Sequence, residues 1–188
     1  WNKKTVVTFN QPVEIPGGVV LPAGTYVFKL LDSLSNRHIV QIFNKDENHI
    51  FATILAIPNW RLDVTGKTVM TFGERAAGDP QAIRSWFYPG DNFGQEFVYP
   101  KRRAVELAKI TNLPILAMPT ELESEITKPA KSVDDEPVVA LKQAPLTAVK
   151  PTGEEVEIAQ VVTPPPAQQK ATADAPEQLP QTASLIPL

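Results

Sequence analysis

The chain of 188 residues contains no cysteine, so disulfide bonds, zinc–thiolate sites, iron–sulfur clusters and a cysteine nucleophile are excluded. No apolar run approaches the roughly 18–20 residues that span a bilayer, and no intact transmembrane segment is expected. The chain also lacks a phosphate-binding glycine loop, a dinucleotide fingerprint and the Gly-x-Ser-x-Gly sequence of serine hydrolases. We therefore expect no cofactor, and we predict that the protein is not an enzyme.

Aromatic residues are absent from the later part of the chain. All fourteen lie between Trp1 and Tyr99, whereas twelve of the 19 prolines follow residue 110. The formal charge is +3 over residues 1–110 and −6 over residues 111–188. The first part can bury an aromatic core, and the second has little that is large to bury. This contrast predicts a β-rich globular domain over 1–112 and an extended Pro/Ala-rich tail over 113–188.

Short apolar segments separated by Gly/Pro turns fill the first part of the chain. They recur about every 8–12 residues, which is typical of a β-sandwich or a small barrel. One helix is predicted over 101–110, because Pro100 suits a helix start and the next residues have helical periodicity. The apolar face of that helix consists of Ala104, Leu107 and Ala108. The predicted fold class is therefore all-β, a sandwich or small barrel, with one C-terminal helix.

Three segments of the tail, 138–141, 146–149 and 155–162, favour strands. In 155–162 the apolar and acidic residues alternate, so that they lie on opposite sides of a strand. Ordering a tail with no aromatic residues costs on the order of 1–2 kcal/mol per residue, so another surface is expected to hold it. We predict that these strands add to an open sheet edge of a neighbouring copy. The predicted donor residues are Val138, Leu141, Val156, Ile158 and Val162.

Aromatic side chains are the second candidate for binding. Trp86 and Tyr88 share one face of a predicted strand, and Trp60 follows Pro58 in a connection expected to be exposed. Exposed rings of this kind can stack on sugars, and the alternative is that the rings form the core. If they are exposed, the protein is a glycan-binding or partner-binding module of the cell surface or periplasm, tethered by a Pro-rich stalk.

Metal and nucleic-acid binding are not expected. His38 and His49 lie near opposite ends of a predicted hairpin, and no acidic set completes a metal site around them. The segment 44–48 is polar like a calcium loop, but it lacks the EF-hand spacing and is predicted to be a turn. A charge of +3 spread over residues 1–110 is too small and too scattered for a nucleic-acid footprint.

Two stretches resemble known groups of bacterial proteins. Leu179-Pro180-Gln181-Thr182-Ala183 resembles the Leu-Pro-x-Thr-Gly signal of sortase-processed surface proteins, with Ala183 in place of the glycine. The resemblance implies attachment to the cell envelope through Thr182. Leu21–Phe28 and Glu96–Lys101 resemble segments of small secreted bacterial β-proteins, which implies export, and a chain that begins at Trp1 without methionine is expected to be processed.

The leading hypothesis from the sequence is a non-enzymatic extracellular structural protein, secreted or held at the cell surface. Its C-terminal tail would join copies into a homo-oligomer, a filament or a surface layer. A contact between the head of one copy and the tail of the next does not close on itself, and repetition of such a contact produces a filament.

Overall fold

The computed structural model describes residues 3–162 of the chain. Over these residues 42% lie in strands and 19% in helices, and the strands form two open sheets. The protein is therefore mainly β with few helices. The sortase-like motif, with Leu179, Pro180, Thr182 and Ala183, lies outside the described residues.

The larger sheet has nine strands. They are β1 (Lys4–Phe9), β2 (Val13–Ile15), β3 (Val19–Leu21), β4 (Gly24–Asp32), β5 (His38–Asn44), β6 (Ile50–Trp60), β7 (Val69–Gly73), β8 (Gln81–Phe87) and β9 (Phe93–Phe97). Their order is β1-β4-β5-β6-β9-β8-β2-β3, with β7 paired to β8 as a branch. Among the described strands of this sheet, only β2 and β8 pair in parallel. Positive φ angles at Gly17 (96°) and Gly18 (71°) permit the tight turn between β2 and β3.

The smaller sheet and the helices come from the later part of the chain. The four strands, in sheet order, are β10 (Tyr99–Pro100), β11 (Ile115–Met118), β12 (Thr147–Val149) and β13 (Glu155–Val156). The helices are α1 (Lys101–Thr111), α2 (Glu123–Thr127) and α3 (Glu136–Gln143), with 3-10 turns at Thr120–Leu122 and Ile158–Gln160. The predicted single helix therefore corresponds to α1, whose buried face is Ala104, Leu107 and Ala108, and two further helices follow it.

The hydrophobic core continues beyond residue 112, and the predicted division at that point is wrong for the described residues. One cluster of buried side chains joins the aromatic residues of the large sheet to aliphatic residues of the later part. The later residues in this cluster include Leu116, Met118, Ile126, Val138, Leu141 and Val156. Aliphatic side chains suffice here because they share the core that the aromatic residues begin. Residues 113–162 are therefore part of the folded unit and not an extended tail.

The predicted strand 138–141 is also wrong, because these residues lie in α3. Pro137 occupies the first turn of the helix, where its missing N–H has no cost. Val138 and Leu141 are three residues apart and therefore point from the same face of α3 into the core, where both are fully buried. They pack inside their own chain, and neither is free to act as part of a donor strand.

Candidate functional site

Two edge strands of the larger sheet face each other across a groove. β1 and β7 are each paired on one side, to β4 and β8, and they are not paired with each other. The groove has a volume of about 410 Å³. Its lining residues are Val6, Val7, Thr8, Phe9, Asn10, Gln11, Val13, Thr68, Met70, Phe72 and Gln81. Two unpaired edges that border one groove are the geometry that receives an added strand.

The unpaired main-chain groups of β1 can be assigned from its pairing with β4. The N–H of Leu30 donates to the carbonyl of Lys3 at 2.9 Å. In an antiparallel strand the N–H and C=O of one residue point to the same side, and the side alternates from one residue to the next. Because Lys3 bonds to β4, Thr5, Val7 and Phe9 bond to β4 as well. The main-chain groups of the residues between them face the groove instead. These residues are Lys4, Val6 and Thr8.

The floor of the groove is apolar and aromatic. The ring centroids of Phe9 on β1 and Phe72 on β7 lie 6.2 Å apart in an edge-to-face arrangement, so the two strands meet through side chains below the groove. Met70 and Val7 are half-buried and pack against the same core. An apolar side chain of an added strand would therefore be covered by this floor.

A third edge, the last residues of β6, is blocked. β5 begins opposite Ala56, so the stretch from Ile57 to Trp60 has a neighbour only on the β9 side. The N–H of Arg61 donates to the carbonyl of Asn92, on the β9 side of β6. Because the main-chain groups of successive residues point to alternate sides, those of residues 58 and 60 point to the open side. Pro58 has no N–H, and the N–H of Trp60 is taken by the side-chain oxygen of Asn59 at 2.7 Å. Proline on an edge is a common protection against strand addition.

The remaining edges are short. β3 has three residues and is followed by Pro22, while β10 and β13 have two residues each. Among the described residues, β1 and β7 are therefore the longest open edges. A larger cavity of about 590 Å³ lies between Ile57, Pro58, Leu146 and Ile158, but it borders the blocked edge of β6. The groove between β1 and β7 is the better candidate for a functional site.

The predicted donor residues of the last segment lie against the core of their own chain. Val156 is buried in β13, which pairs with β12. Ile158 and Val162 are half-buried and pack against the same core cluster, and residues 158–160 form a 3-10 turn instead of continuing the strand. The segment 155–162 therefore adds a strand to a sheet within the chain, and only its first two residues do so.

The three aromatic residues predicted to stack on a ligand do not form one exposed surface. Trp86 is 2% exposed, and its ring lies 6.0 Å from that of Phe28 in the core. The ammonium of Lys3 lies 5.6 Å from the centroid of the half-buried Tyr88 ring. Trp60 is the last residue of β6 and is half-buried, instead of lying in an exposed connection. The core alternative therefore holds for Trp86.

The polar residues considered for metal binding have structural partners. Nδ1 of His38 lies 2.6 Å from the side-chain oxygen of Gln95, and His49 packs against Phe51 with ring centroids 4.7 Å apart. In the turn after β5, the side-chain oxygen of Asn44 accepts the N–H groups of Asn48 and His49. No cluster of three or more potential metal ligands occurs within residues 3–162.

One buried carboxylate connects three parts of the fold. Glu14 on β2 accepts two bonds from Arg103 of α1, at 2.6 and 2.7 Å, and one from Arg75 at 2.7 Å. Its side chain is 7% exposed. Hydrogen bonding to Glu14 raises the pKa of Arg103, so the guanidinium stays charged. Glu106, which also bonds to Arg103, supplies a second carboxylate, so two acids match the two guanidinium groups.

A second buried acid, Glu96 on β9, is held by Arg84 at 3.1 Å and by the side-chain amide of Asn59. Burial raises the pKa of Glu96 above its usual range, although the charge of Arg84 opposes that shift. None of the hydrogen-bond partners of Glu14 or Glu96 in the described residues is a nucleophilic side chain. Their contacts are those of core ion pairs.

Asp32 connects the larger sheet to α3 through an ion pair, and the stability from this contact should depend on pH. The carboxylate accepts the N–H of Leu34 at 3.0 Å and contacts the ammonium of Lys142. These bonds lower the pKa of Asp32 below its ordinary value of 3.8. A carboxylate whose pKa is lower in the folded state than in the unfolded state stabilises the fold at any pH above its unfolded-state pKa. That stability is lost as the pH falls through the folded-state pKa.

We therefore expect Asp32→Asn to lower the free energy of unfolding at pH 7, and we expect the difference from the unaltered protein to shrink below about pH 4. Urea unfolding between pH 2.5 and 7 measures this difference. Asp46→Asn, in the exposed turn after β5, is the matched control and should change stability little at any pH. A difference for Asp32→Asn that persists unchanged to pH 2.5 would contradict the assignment.

The residues of the groove have no local signal in the sequence that identifies them as a site. The alternation in 5–9 identifies β1 as a strand, but it does not show that β1 lies at an edge. Met70 and Phe72 lie some sixty residues further along the chain, and nothing local connects them with Phe9. The only signal for a protected edge in the sequence is Pro58 inside a β-branched segment.

The fold and site together define a mainly β protein with an open-edged sheet. Comparison with protein-family models, with curated proteins and with solved structures found no match. Among the described residues, no helix is long and apolar enough to cross a membrane.

Proposed function

We propose that the protein is a non-enzymatic structural protein whose copies join by strand addition in the groove between β1 and β7. The observation that carries this proposal is the pair of unpaired edges bordering one apolar-floored groove. Main-chain hydrogen bonds to residues such as Val6 would supply affinity, and the side chains below would fix the register. The other available edges are short or blocked by Pro58, which favours this groove as the acceptor.

The same contacts support a finer description of the fold. The larger sheet is a small barrel that is left open between β1 and β7. Phe9 and Phe72 pack across the gap, and Phe28 from β4 meets Trp86 from β8 beneath it. A strand placed in the gap would pair with both edges, which removes the exposed edges of the barrel.

The donor is a segment that follows Val162 in the neighbouring copy. Residues 155–162 are used within their own chain, so they are poor donors, and the 26 residues 163–188 lie outside the described range. At about 3.3 Å per extended residue they reach roughly 85 Å, and the described part has a radius of gyration of about 15 Å. The tail therefore reaches a neighbour, and the repeated contact generates a filament or layer.

We place this assembly outside the cell, at the surface or in the extracellular medium. The support is the resemblance of 179–183 to a sortase signal and of Leu21–Phe28 to secreted β-proteins. Attachment through Thr182 would tether the assembly to the cell envelope.

The test is assembly of the full chain against a chain that ends at Val162. The full chain is expected to form regular filaments in negative-stain electron microscopy and a high-mass species in size exclusion with light scattering. The shortened chain retains every core residue identified within 3–162, and the groove, and it should remain a folded monomer. A full chain that is a monomer at every concentration, or a shortened chain that assembles equally well, would overturn the proposal.

A further inference from the structure

The cavity beside the blocked end of β6 has too few main-chain partners for a strand, but it has the size of a small-molecule site. Its volume is about 590 Å³, and protein sites for small molecules usually have about 300–1,000 Å³. Four parts of the chain line it, namely the turn before β5, the end of β6, the start of β12 and the residues after β13. Among the described residues, none lines both this cavity and the groove between β1 and β7. The cavity is therefore a separate candidate for binding.

One wall of the cavity is apolar and is held by the core. Ile57 is buried, and Leu146 and Ile158 are half-buried and pack against the main core cluster. Pro58 extends this apolar wall. An aliphatic or aromatic group placed against the wall would lose contact with water, which favours binding. The cavity therefore suits a ligand with an apolar part.

Arg37 supplies a positive charge that has no anionic partner in the part of the chain that the structure describes. Four of the six arginines contact a carboxylate at 3.8 Å or less, and Arg61 lies over the ring of Phe87. The guanidinium of Arg37 instead donates from Nη1 to the carbonyl of Ala144, and the residue lines the cavity. A guanidinium has five N–H groups, and its planar fork matches the two oxygens of a carboxylate. Arg37 therefore keeps donors for an acid bound in the cavity.

Glu157 brings a negative charge to the same cavity. The nearby Glu155 contacts Lys101, whereas Glu157 is exposed and has no cation partner within residues 3–162. Arg37 and Glu157 therefore do not pair with each other, although they line one cavity. A ligand that carries both a carboxylate and an ammonium would pair with both side chains and leave the site neutral.

The carbonyl of Pro58 is a second acceptor for an ammonium. It points to the open side of β6, and the residues that precede β5 lie on that side as well. The same edge lacks a free N–H, because Pro58 has none and that of Trp60 is taken by the side chain of Asn59. A peptide would leave its own carbonyl groups without donors at this edge, which is costly. The cavity therefore favours a free amino acid over a peptide.

We propose that the cavity binds a free α-amino acid with an apolar side chain. Arg37 binds the α-carboxylate, Glu157 and the carbonyl of Pro58 bind the α-ammonium, and the side chain of the ligand lies against the apolar wall. The inference goes beyond the proposed function. Because the cavity and the groove have no described lining residue in common, amino-acid binding and assembly can succeed or fail independently.

Three ligands with one carbon skeleton test the class of ligand. L-leucine carries both charges, 4-methylpentanoate lacks the ammonium, and 3-methylbutylamine lacks the carboxylate. Equilibrium dialysis of the full chain against 14C-labelled L-leucine should show one saturable site per chain. Each analogue should compete at least tenfold more weakly, because it leaves one charged side chain without its partner. No saturable binding of L-leucine up to about 10 mM, or equal competition by 4-methylpentanoate, would overturn the proposal.

Two substitutions test which side chain binds which charge. Arg37→Gln and Glu157→Gln should each weaken the binding of L-leucine at least tenfold. In Arg37→Gln the preference for L-leucine over 3-methylbutylamine should disappear, and in Glu157→Gln the preference over 4-methylpentanoate should shrink. A general loss of structure would not produce this crossed pattern, and the thermal unfolding transition checks the fold of each variant.

Arg102→Gln and Glu121→Gln are the matched controls, because both residues are exposed and neither lines the cavity. Both controls should bind L-leucine within about twofold of the unaltered chain. Unchanged binding in Arg37→Gln or Glu157→Gln, or an equal loss in the controls, would show that the amino acid binds elsewhere and would contradict the assignment.

Discussion

Val6→Pro is expected to abolish assembly and to leave the fold intact. The main-chain N–H of Val6 faces the groove, so proline there removes a donor that β4 does not use. The preceding Thr5 is already in an extended strand, the conformation that a residue before proline favours. We expect an unchanged far-UV circular dichroism spectrum, a single unfolding transition close to that of the unaltered chain, and a monomer in size exclusion.

Val7→Pro is the matched control for this substitution. Its N–H points the other way, into the ladder with β4, where Val7 is opposite Tyr26. Proline at that position removes a ladder bond and should lower the unfolding transition markedly. If Val6→Pro instead forms filaments as readily as the unaltered chain, the edge of β1 is not the acceptor.

A mixing experiment uses the same variant in a stricter way. Val6→Pro keeps its tail but cannot accept one, whereas the chain ending at Val162 can accept a tail but has none. Each is expected to be monomeric alone, and together they should form a 1:1 complex and nothing larger. A mixture that remains monomeric would contradict strand exchange between copies.

Glu14→Ala is expected to have the largest effect on stability. It leaves the guanidinium groups of Arg75 and Arg103 without their shared carboxylate, and Arg75 is 10% exposed. Removing one partner of a buried ion pair costs about 3–5 kcal/mol. Urea unfolding should therefore show a large fall in the midpoint with little change in the slope.

Glu106→Ala tests whether the loss arises from burial or from the Arg103 contact alone. Glu106 bonds to the same Arg103, but its side chain is 52% exposed, so its loss should cost less than about 1 kcal/mol. Equal effects of the two substitutions would show that the buried position of Glu14 has no special role.

The β-rich character and the helix after Pro100 could be predicted because their signals are local. Turns such as Pro16-Gly17-Gly18 require glycine at positive φ, and alternation in 5–9 is the period of a strand. The helix α3 also has a local signal, since Pro137 suits a first turn and Val138 and Leu141 are three residues apart. The β-branched pair at 138–139 favours a strand, and the core contacts of α3 outweigh that preference.

The groove and the extent of the core could not be predicted in this way. Whether Val6 faces a neighbour or an open gap depends on which strand follows β1 around the sheet, and Phe72 arrives there only through tertiary packing. The lack of aromatic residues after Tyr99 predicts that the later residues lack a core. Leu116 and Leu141 show instead that aliphatic residues extend a core begun by aromatic ones.

The blocked edge of β6 has a consequence for the architecture of the proposed assembly. Pro58 and the side chain of Asn59 close the remaining long stretch at which a further strand could join. Under the proposed strand addition, each copy has one groove that accepts a strand and one segment that donates a strand. Growth by such units would be linear and unbranched, and its extent would depend on the concentration of free grooves and free donor segments.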